Sequence, residues 1–425
     1  MEQRIQKILL AGLHWDASRF DAVNGSALAE EEWAALIEMA ARHGVAPLLY
    51  QRFKALPAAS RLPDAVLDRW RGCYLSTAAS NVRLYEELRV LLPALRTAGI
   101  PVLVLKGAYL AANVYRNIAL RPMSDIDLLT PKTAARDALQ VLQNAGYTLR
   151  QPATEAAIPH HGKDMVLVKQ GHHFPVEVHW TLTDHGIRMN MDEWWDRSQT
   201  TWLDGMETGI LSPEDCLLHI GLHASYHHSF HVNLKALMDI AFFIERFQEA
   251  LNWDRFCQRT THYGWNNGIY LILSLARNLV GAAVPSEPLE LIKPLDLPET
   301  MMAIAEDRLL HGQDAAAALS NPFISLWGGK GLGEKFRMIG RSVFLSREAM
   351  AYLYPVQPDS LWLYGYYLVR IKDLALRYGS PLWRLLRGDR ELRVTVRQRD
   401  ALREWMFKPV EDAGNESRNS SRSAR

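Results

Sequence analysis

The sequence predicts an α+β core held between two helical regions. Three observations predict it: apolar residues at three- and four-residue spacing from 28 to about 97, short apolar runs after Pro101, and helical spacing again beyond about 206. A chain of 425 residues, 48% hydrophobic and 22% charged, can bury a large core and is long enough for two or three domains. The division expected is a helical N-terminal region over 1–97, a core over 98–205, a helical C-terminal domain over 206–409 and a disordered tail over 410–425.

The elements follow in order. EEWAALIEMAARHGVAPLLYQRF and LYEELRVLLPALRTAG carry the amphipathic helical pattern, which Gly99 ends. VLVL at 102–105 has the character of a buried strand, AYLAANVYRN of a helix of about three turns, IALRPMS of a loop and DIDLLT of a second strand. TAARDALQVLQNAG reads as a helix closed by Gly146. YTLR, DMVLVK and FPVEVHW supply three more strands. Ser212-Pro213-Glu214-Asp215 starts the next helix, with Ser212 as N-cap, Pro213 at the first helical position and Asp215 placed for a capping box. The stretch EDAGNESRNSSRSAR is too polar to offset its own ordering entropy.

Composition excludes several classes. The net charge of +1 creates no field that would draw the chain to nucleic acid or an anionic membrane. Cys73, Cys216 and Cys257 are widely spaced and odd in number, which argues against a disulfide framework and fits a reducing, cytoplasmic setting. MEQRIQKILLAGLHWD is too short an apolar stretch for a signal peptide, and no run approaches the roughly 18 apolar residues of a membrane span.

The chemistry concentrates in LRPMSDIDLLTPK. Asp125 and Asp127 are two residues apart on a predicted strand, so they share a face with Cα atoms roughly 7 Å apart. Without a cation their repulsion raises a carboxyl pKa and destabilises the strand. Arg121 is one source of positive charge, either pairing with these acids or contacting a triphosphate. A divalent ion bound by hard oxygen ligands is the better one. Glu177, between Val176 and Val178 in FPVEVHW, is the third acid expected at the same place. Lys106-Gly107, at the end of a strand and the start of a helix, offers backbone N–H groups, close approach and a charge to phosphate. Metal-binding carboxylates facing a phosphate cradle describe phosphoryl or nucleotidyl transfer.

The ordered run LVLKGAYLAANVY, LRPMSDIDLLT, VEVHW, LSPEDCLLHIGLHASYHH and NLKALMDIAFFI resembles the uncharacterised nucleotidyltransferase family of the DNA polymerase beta-like superfamily. The resemblance implies a mixed sheet with a glycine turn after its first strand, an Asp-x-Asp pair on the next and a third acid on a later one. By position these are Gly107, Asp125 with Asp127, and Glu177. It also implies Mg²⁺-assisted transfer of a nucleoside monophosphate from an NTP, with ATP the expected one, to an acceptor hydroxyl, Mn²⁺ being the alternative ion. Ala108 stands where the superfamily has Gly or Ser, and the Gly107–Asp125 stretch is longer than its common form. A nucleotide sensor or partner-binding protein on the same scaffold is the rival expectation. A protein or tRNA acceptor is another, with the near-zero charge against tRNA.

The remaining motifs take structural readings. His179 is expected to orient Glu177, and Trp180 to join the core. His219, His223 and His227 lie at four-residue spacing, followed by His228 and His231. With no His-Glu-x-x-His arrangement, they read as a packed or cleft-facing polar stripe rather than a zinc site. Lys235 and Asp239 read as an i,i+4 ion pair. WGGKGLGEK at 327–335 fails the P-loop pattern and reads as a loop. Trp194-Trp195 and LWLYGYYLVR at 361–370 read as helical packing as readily as base-stacking surfaces.

Overall fold

The computed structural model describes residues 1–16, 18–22, 28–56, 62–150, 163–172, 174–183, 187, 189–311, 337, 340, 343–354, 356–387 and 389–408. The expected tail and the WGGKGLGEK stretch lie outside these residues.

The N-terminal region is helical as its periodicity predicts: α1 (Glu2–Leu13), α2 (Ser18–Ala22), α3 (Glu30–Arg42), α4 (Ala46–Lys54) and α5 (Asp64–Thr97). Glu30, Glu31 and Glu32 open α3 and Arg42 closes it, so side-chain charges oppose the helix dipole at both ends. The 34 residues of α5 bury Leu84, Leu88, Leu91 and Leu95 along one stripe. Its end is a Schellman motif. Gly99, at φ +70°, donates to the Arg96 carbonyl, and the buried Ile100 donates to that of Leu95. That turn delivers the chain into the first strand.

Seven strands follow: β1 (Leu103–Val104), β2 (Ile126–Leu129), β3 (Thr148–Leu149), β4 (Asp164–Val168), β5 (Val176–His179), β6 (Gln199–Leu203) and β7 (Met206–Ile210). They form one mixed sheet in the order β3-β4-β5-β2-β1-β7-β6, with β2 parallel to β5, β1 parallel to β7, and the other neighbours antiparallel. The apolar alternates Ile126, Leu128, Val176 and Val178 are buried, which fixes the register and sends Asp127, Glu177 and His179 to the other face.

Between β1 and β2, α6 (Lys106–Tyr109) runs directly into a π turn at Leu110–Val114, so the expected helix is wider than regular over its second half. A 3₁₀ turn at Ile118–Leu120 sits within the expected loop. Between β2 and β3 lies α7 (Ala135–Asn144), and α8 (Met191–Asp196) precedes β6.

The sheet extends further along the chain than expected. Beyond 206 the sequence pattern predicts helices, yet Met206–Ile210 is a strand lying parallel to β1, so the boundary after residue 205 falls inside a hairpin. The hairpin follows from Asp204-Gly205: both residues have positive φ, 50° and 80°, as a type I′ turn requires.

The C-terminal region comprises α9 (Pro213–Leu222), α10 (Lys235–Phe247), α11 (Trp253–His262), α12 (Asn266–Val280), α13 (Ser286–Leu291) and α14 (Glu299–His311), then helices at Arg347–Leu353, Leu363–Leu386 and Arg390–Met406. Ser212 caps α9 by accepting from the Asp215 N–H. The Asp215 carboxylate, expected to complete a capping box, instead meets Arg197 Nε at 2.8 Å and Arg259 Nη1 at 2.9 Å. One continuous apolar core joins the three regions, from Ile5 and Trp70 through Val104, Leu128 and Val178 to Phe243, Ile272 and Leu402. Cys73, Cys216 and Cys257 are free thiols, and among the described residues no helix is long and apolar enough to cross a membrane.

Candidate active site

Three strands and two helices place the polar residues. The Leu105 N–H donates to the Asp127 carbonyl, which pins the end of β1 against the middle of β2 and starts α6 there. Lys106, the first residue of α6, thereby brings Nζ to 3.3 Å from Asp127 Oδ2. Gly107 is buried behind it. A Cβ at that position would stand 3.4 Å from both Arg121 Nη1 and Met123 Sδ, so glycine keeps this corner open.

Asp127 and Glu177 are partners in the parallel β2–β5 register. Their side chains therefore emerge from one face, on neighbouring strands about 4.8 Å apart. His179 follows on the same face of β5. Its Nε2 lies 3.1 Å from Asp127 Oδ1 and 3.7 Å from Glu177 Oε2, while Nδ1 is 3.6 Å from Oδ2 of Asp164, its partner in the β4–β5 register. Donor atoms of Asp127, Glu177 and His179 all fall within 4.8 Å of one another, the one such group among the described residues.

Asp125 stands just before β2 rather than on it. It lines the same cleft as Asp127, but the three converging donors are Asp127, Glu177 and His179, where the sequence pattern predicts Asp125, Asp127 and Glu177. His179 approaches Asp127 more closely than Glu177, the residue it is expected to orient.

Arg121 is buried and forms a two-point ion pair with Asp239 of α10, Nε to Oδ1 at 2.7 Å and Nη2 to Oδ2 at 2.8 Å. It therefore pairs with neither Asp125 nor Asp127. The pairing occupies Nε and Nη2, and the third nitrogen, Nη1, is the one beside Gly107. Asp239 also accepts from the Tyr115 hydroxyl at 2.8 Å. The expected Lys235–Asp239 pair gives way to this arrangement: Lys235 Nζ donates to the Pro122 carbonyl at 3.0 Å. A two-point guanidinium contact outcompetes a flexible ammonium for a buried carboxylate.

Asp127 and Arg121 border a cleft of about 270 Å³, with Lys106, Gly107, Arg121, Asp125 and Asp127 on one wall and His223, His228, His231 and Lys235 on the other; Glu177 and His179 adjoin it through Asp127 and do not line it. Histidines of the predicted stripe thus reach the cleft, although a π turn at His223–His227 interrupts the regular helix. His219 is buried near Lys106 and Asp127. Burial, with Lys106 second, holds the His219 and His223 imidazoles well below their usual pKa. His223 and His228 bring their Nε2 atoms to 3.2 Å. Trp194 is fully buried, as is Trp180 to within 4%, and both serve the core. Among the LWLYGYYLVR residues Trp362 and Leu368 are exposed, away from the residues lining the cleft.

The charges are unevenly balanced. Burial, then the Asp127 charge, pushes the carboxyls of Asp125 and Glu177 up. For Asp127 burial acts in the same direction, but the Lys106 ammonium and the His179 hydrogen bond outweigh it and hold the carboxyl well below the usual range. The chain supplies Asp127 with the Lys106 ammonium and a hydrogen bond from His179, and leaves its two acidic neighbours without enough positive charge. That is the electrostatic condition of a cation site.

A mixed sheet with acids at its centre and a lysine–glycine turn beside them defines a nucleotidyltransferase-like core. The model of a family described as uncharacterised nucleotidyltransferase matches residues 29–281, from α3 through α12 and across the whole sheet. The chain belongs to this family, so nucleotidyl transfer is its class of reaction and an NTP its class of substrate. No curated protein and no solved structure matches it.

Proposed function

We propose that this protein transfers a nucleoside monophosphate from an NTP, ATP being the first to test, to an acceptor hydroxyl in a divalent-metal-dependent reaction that releases pyrophosphate. The observation that carries this reading is the pairing of Asp127 with Glu177 across β2 and β5, beside Lys106 and Asp125. The donors suit a divalent ion: two carboxylates and an imidazole converge within 4.8 Å, and the acids are short of positive charge. Asp127 and Glu177 would hold the ion, with Asp125 at its open side toward the cleft.

A bound divalent ion neutralises phosphate oxygens and favours ionisation of an attacking hydroxyl. The chain's own groups do the rest. Lys106 Nζ and Arg121 Nη1 face the triphosphate across the corner that Gly107 leaves uncovered. Asp239 fixes the Arg121 guanidinium so that it spends little entropy on that contact. Glu177, its carboxyl raised by burial and by Asp127, takes the acceptor's proton on the carboxylate oxygen it does not give to the ion. The wall carrying His223, His228, His231 and Lys235 faces the incoming acceptor, to which it offers a polar surface with one ammonium.

The test uses α-labelled NTPs with MgCl₂ or MnCl₂ and a panel of small-molecule, protein and RNA acceptors, reading transfer of the label to the acceptor together with pyrophosphate release in a coupled assay. Asp127→Asn should abolish transfer while circular dichroism stays unchanged. Transfer by Asp127→Asn at the wild-type rate would overturn the proposal.

A further inference from the structure

We infer that His179 is itself a ligand of the ion, oriented from behind by Asp164, and that this mixed donor set takes Mn²⁺ in preference to Mg²⁺. The inference rests on reading the cleft as a metal-dependent transfer site and deepens it by naming the class of ion.

The first argument is distance. Two ligand bonds of about 2.1 Å place donor atoms about 3.0–3.4 Å apart at octahedral or tetrahedral angles, and at most about 4.2 Å apart. His179 Nε2 lies 3.1 Å from Asp127 Oδ1 and 3.7 Å from Glu177 Oε2, so an ion shared by the three needs only small rotations. Asp125 is outside the group whose ligand atoms all lie within 4.8 Å of one another.

The second argument is hydrogen bonding. His179 is buried with a carboxylate facing each ring nitrogen, Asp127 at 3.1 Å from Nε2 and Asp164 at 3.6 Å from Nδ1, the second just beyond hydrogen-bond length and within reach of a small rotation. A neutral imidazole has one N–H and one lone pair, so without an ion one carboxylate faces a lone pair. Ligation through Nε2 removes the conflict, because the proton then sits on Nδ1 and points at Asp164. A carboxylate behind a ligating histidine is the usual way its tautomer and ring orientation are fixed. The alternative is a doubly protonated ring that bonds both carboxylates and ligates nothing.

The third argument is placement. Asp127, Glu177, His179 and Asp164 come from three adjacent strands in direct register, so the sheet itself fixes the constellation. An imidazole nitrogen adds affinity for first-row transition ions that Mg²⁺, which keeps to oxygen and water, does not share.

The experiment adds MnCl₂ alone to the full chain and records electron spin-echo modulation together with the binding isotherm. The wild-type protein should show nitrogen coupling to Mn²⁺, and Mg²⁺ should displace it only at about tenfold or greater excess. His179→Gln should lose the coupling and bind Mn²⁺ about 10–100-fold more weakly. Asp164→Asn should keep the coupling with about tenfold weaker binding. Bound Mn²⁺ with oxygen ligands alone overturns the inference, as does a wild-type chain that binds no Mn²⁺. The wild-type spectrum decides the matter even if His179→Gln fails to fold. Pyrophosphate release reports on the other reading: a nitrogen-coupled ion in a chain that transfers nothing keeps His179 as a ligand and removes the transferase proposal.

Discussion

Arg121 and Asp239 meet through two hydrogen bonds, 2.7 and 2.8 Å, although 118 residues separate them in the chain. The pair fastens the loop before β2 to α10, and so joins the sheet wall of the cleft to the helical wall. Burial lowers the guanidinium's affinity for its proton, but Asp239 outweighs this and raises it, so Arg121 stays charged. Removing one partner strands the other charge in the interior. Arg121→Met should therefore destabilise the fold by about 3–5 kcal/mol, and Arg121→Met combined with Asp239→Leu by much less. Urea unfolding of the single and double variants reads this directly. Equal losses in all of them would show that the pair does not hold the two walls.

Lys106 Nζ is 3.3 Å from Asp127 and borders the cleft, so its charge serves the carboxylate when no other cation is present. Lys106→Met should raise the KM for NTP about 10–100-fold, the worth of one charged hydrogen bond. Binding of Mn²⁺ should not weaken, because a competitor for Asp127 has been removed. Steady-state kinetics and a metal titration check the two halves. A variant with weaker metal binding and unchanged KM would assign Lys106 to the ion instead of the phosphates.

Local chemistry made much of this legible in the sequence. Ile126-Asp127-Leu128 and Val176-Glu177-Val178 each place an acid between buried apolar residues, and that alternation is what the β2–β5 register uses. Period-2 alternation could not show where the strand begins, which left Asp125 one residue outside it. Asp164 gave no local signal beyond opening the DMVLVK strand, since its significance depends on facing His179 across β4 and β5. The i,i+4 rule pairs Asp239 with Lys235, whereas a partner 118 residues away offers better geometry. In each case the determining contact is long-range in sequence.

The β6–β7 hairpin is different, because its signal is local. Asp204-Gly205 lies between Leu203 and Met206, two residues at positive φ joining two strands. Gly205 has φ +80° and open space where a Cβ would stand, so a side chain there costs conformation and not contacts. Gly205→Ala should destabilise the protein by about 1–2 kcal/mol. Gly205→Asn should cost less, because asparagine tolerates the left-handed region. Thermal unfolding of the two variants provides the comparison, and equal stability to wild type in both would contradict the turn assignment.

Lys235 offers a pH test of the helical wall. Burial, then the nearby Arg121 charge, pushes its ammonium pKa down from 10.5 to about 8, against the opposing pull of Asp239 and Asp125. Its ammonium donates to the Pro122 carbonyl at 3.0 Å. Between about pH 8 and pH 10.5 the unfolded chain therefore holds a proton that the folded chain has released. Stability should rise with pH across that window, and the cost is present in full below about pH 8. A shift of this size corresponds to at most about 3 kcal/mol, and less where water reaches the ammonium at the cleft mouth. Lys235→Met removes the titrating group. Its stability relative to wild type should be most favourable near pH 7 and fall as the pH approaches about 10.5, measured by urea unfolding in the presence of a chelator. A difference that stays flat across the window would mean that Lys235 keeps its ordinary affinity for the proton and that solvent, not protein, surrounds it.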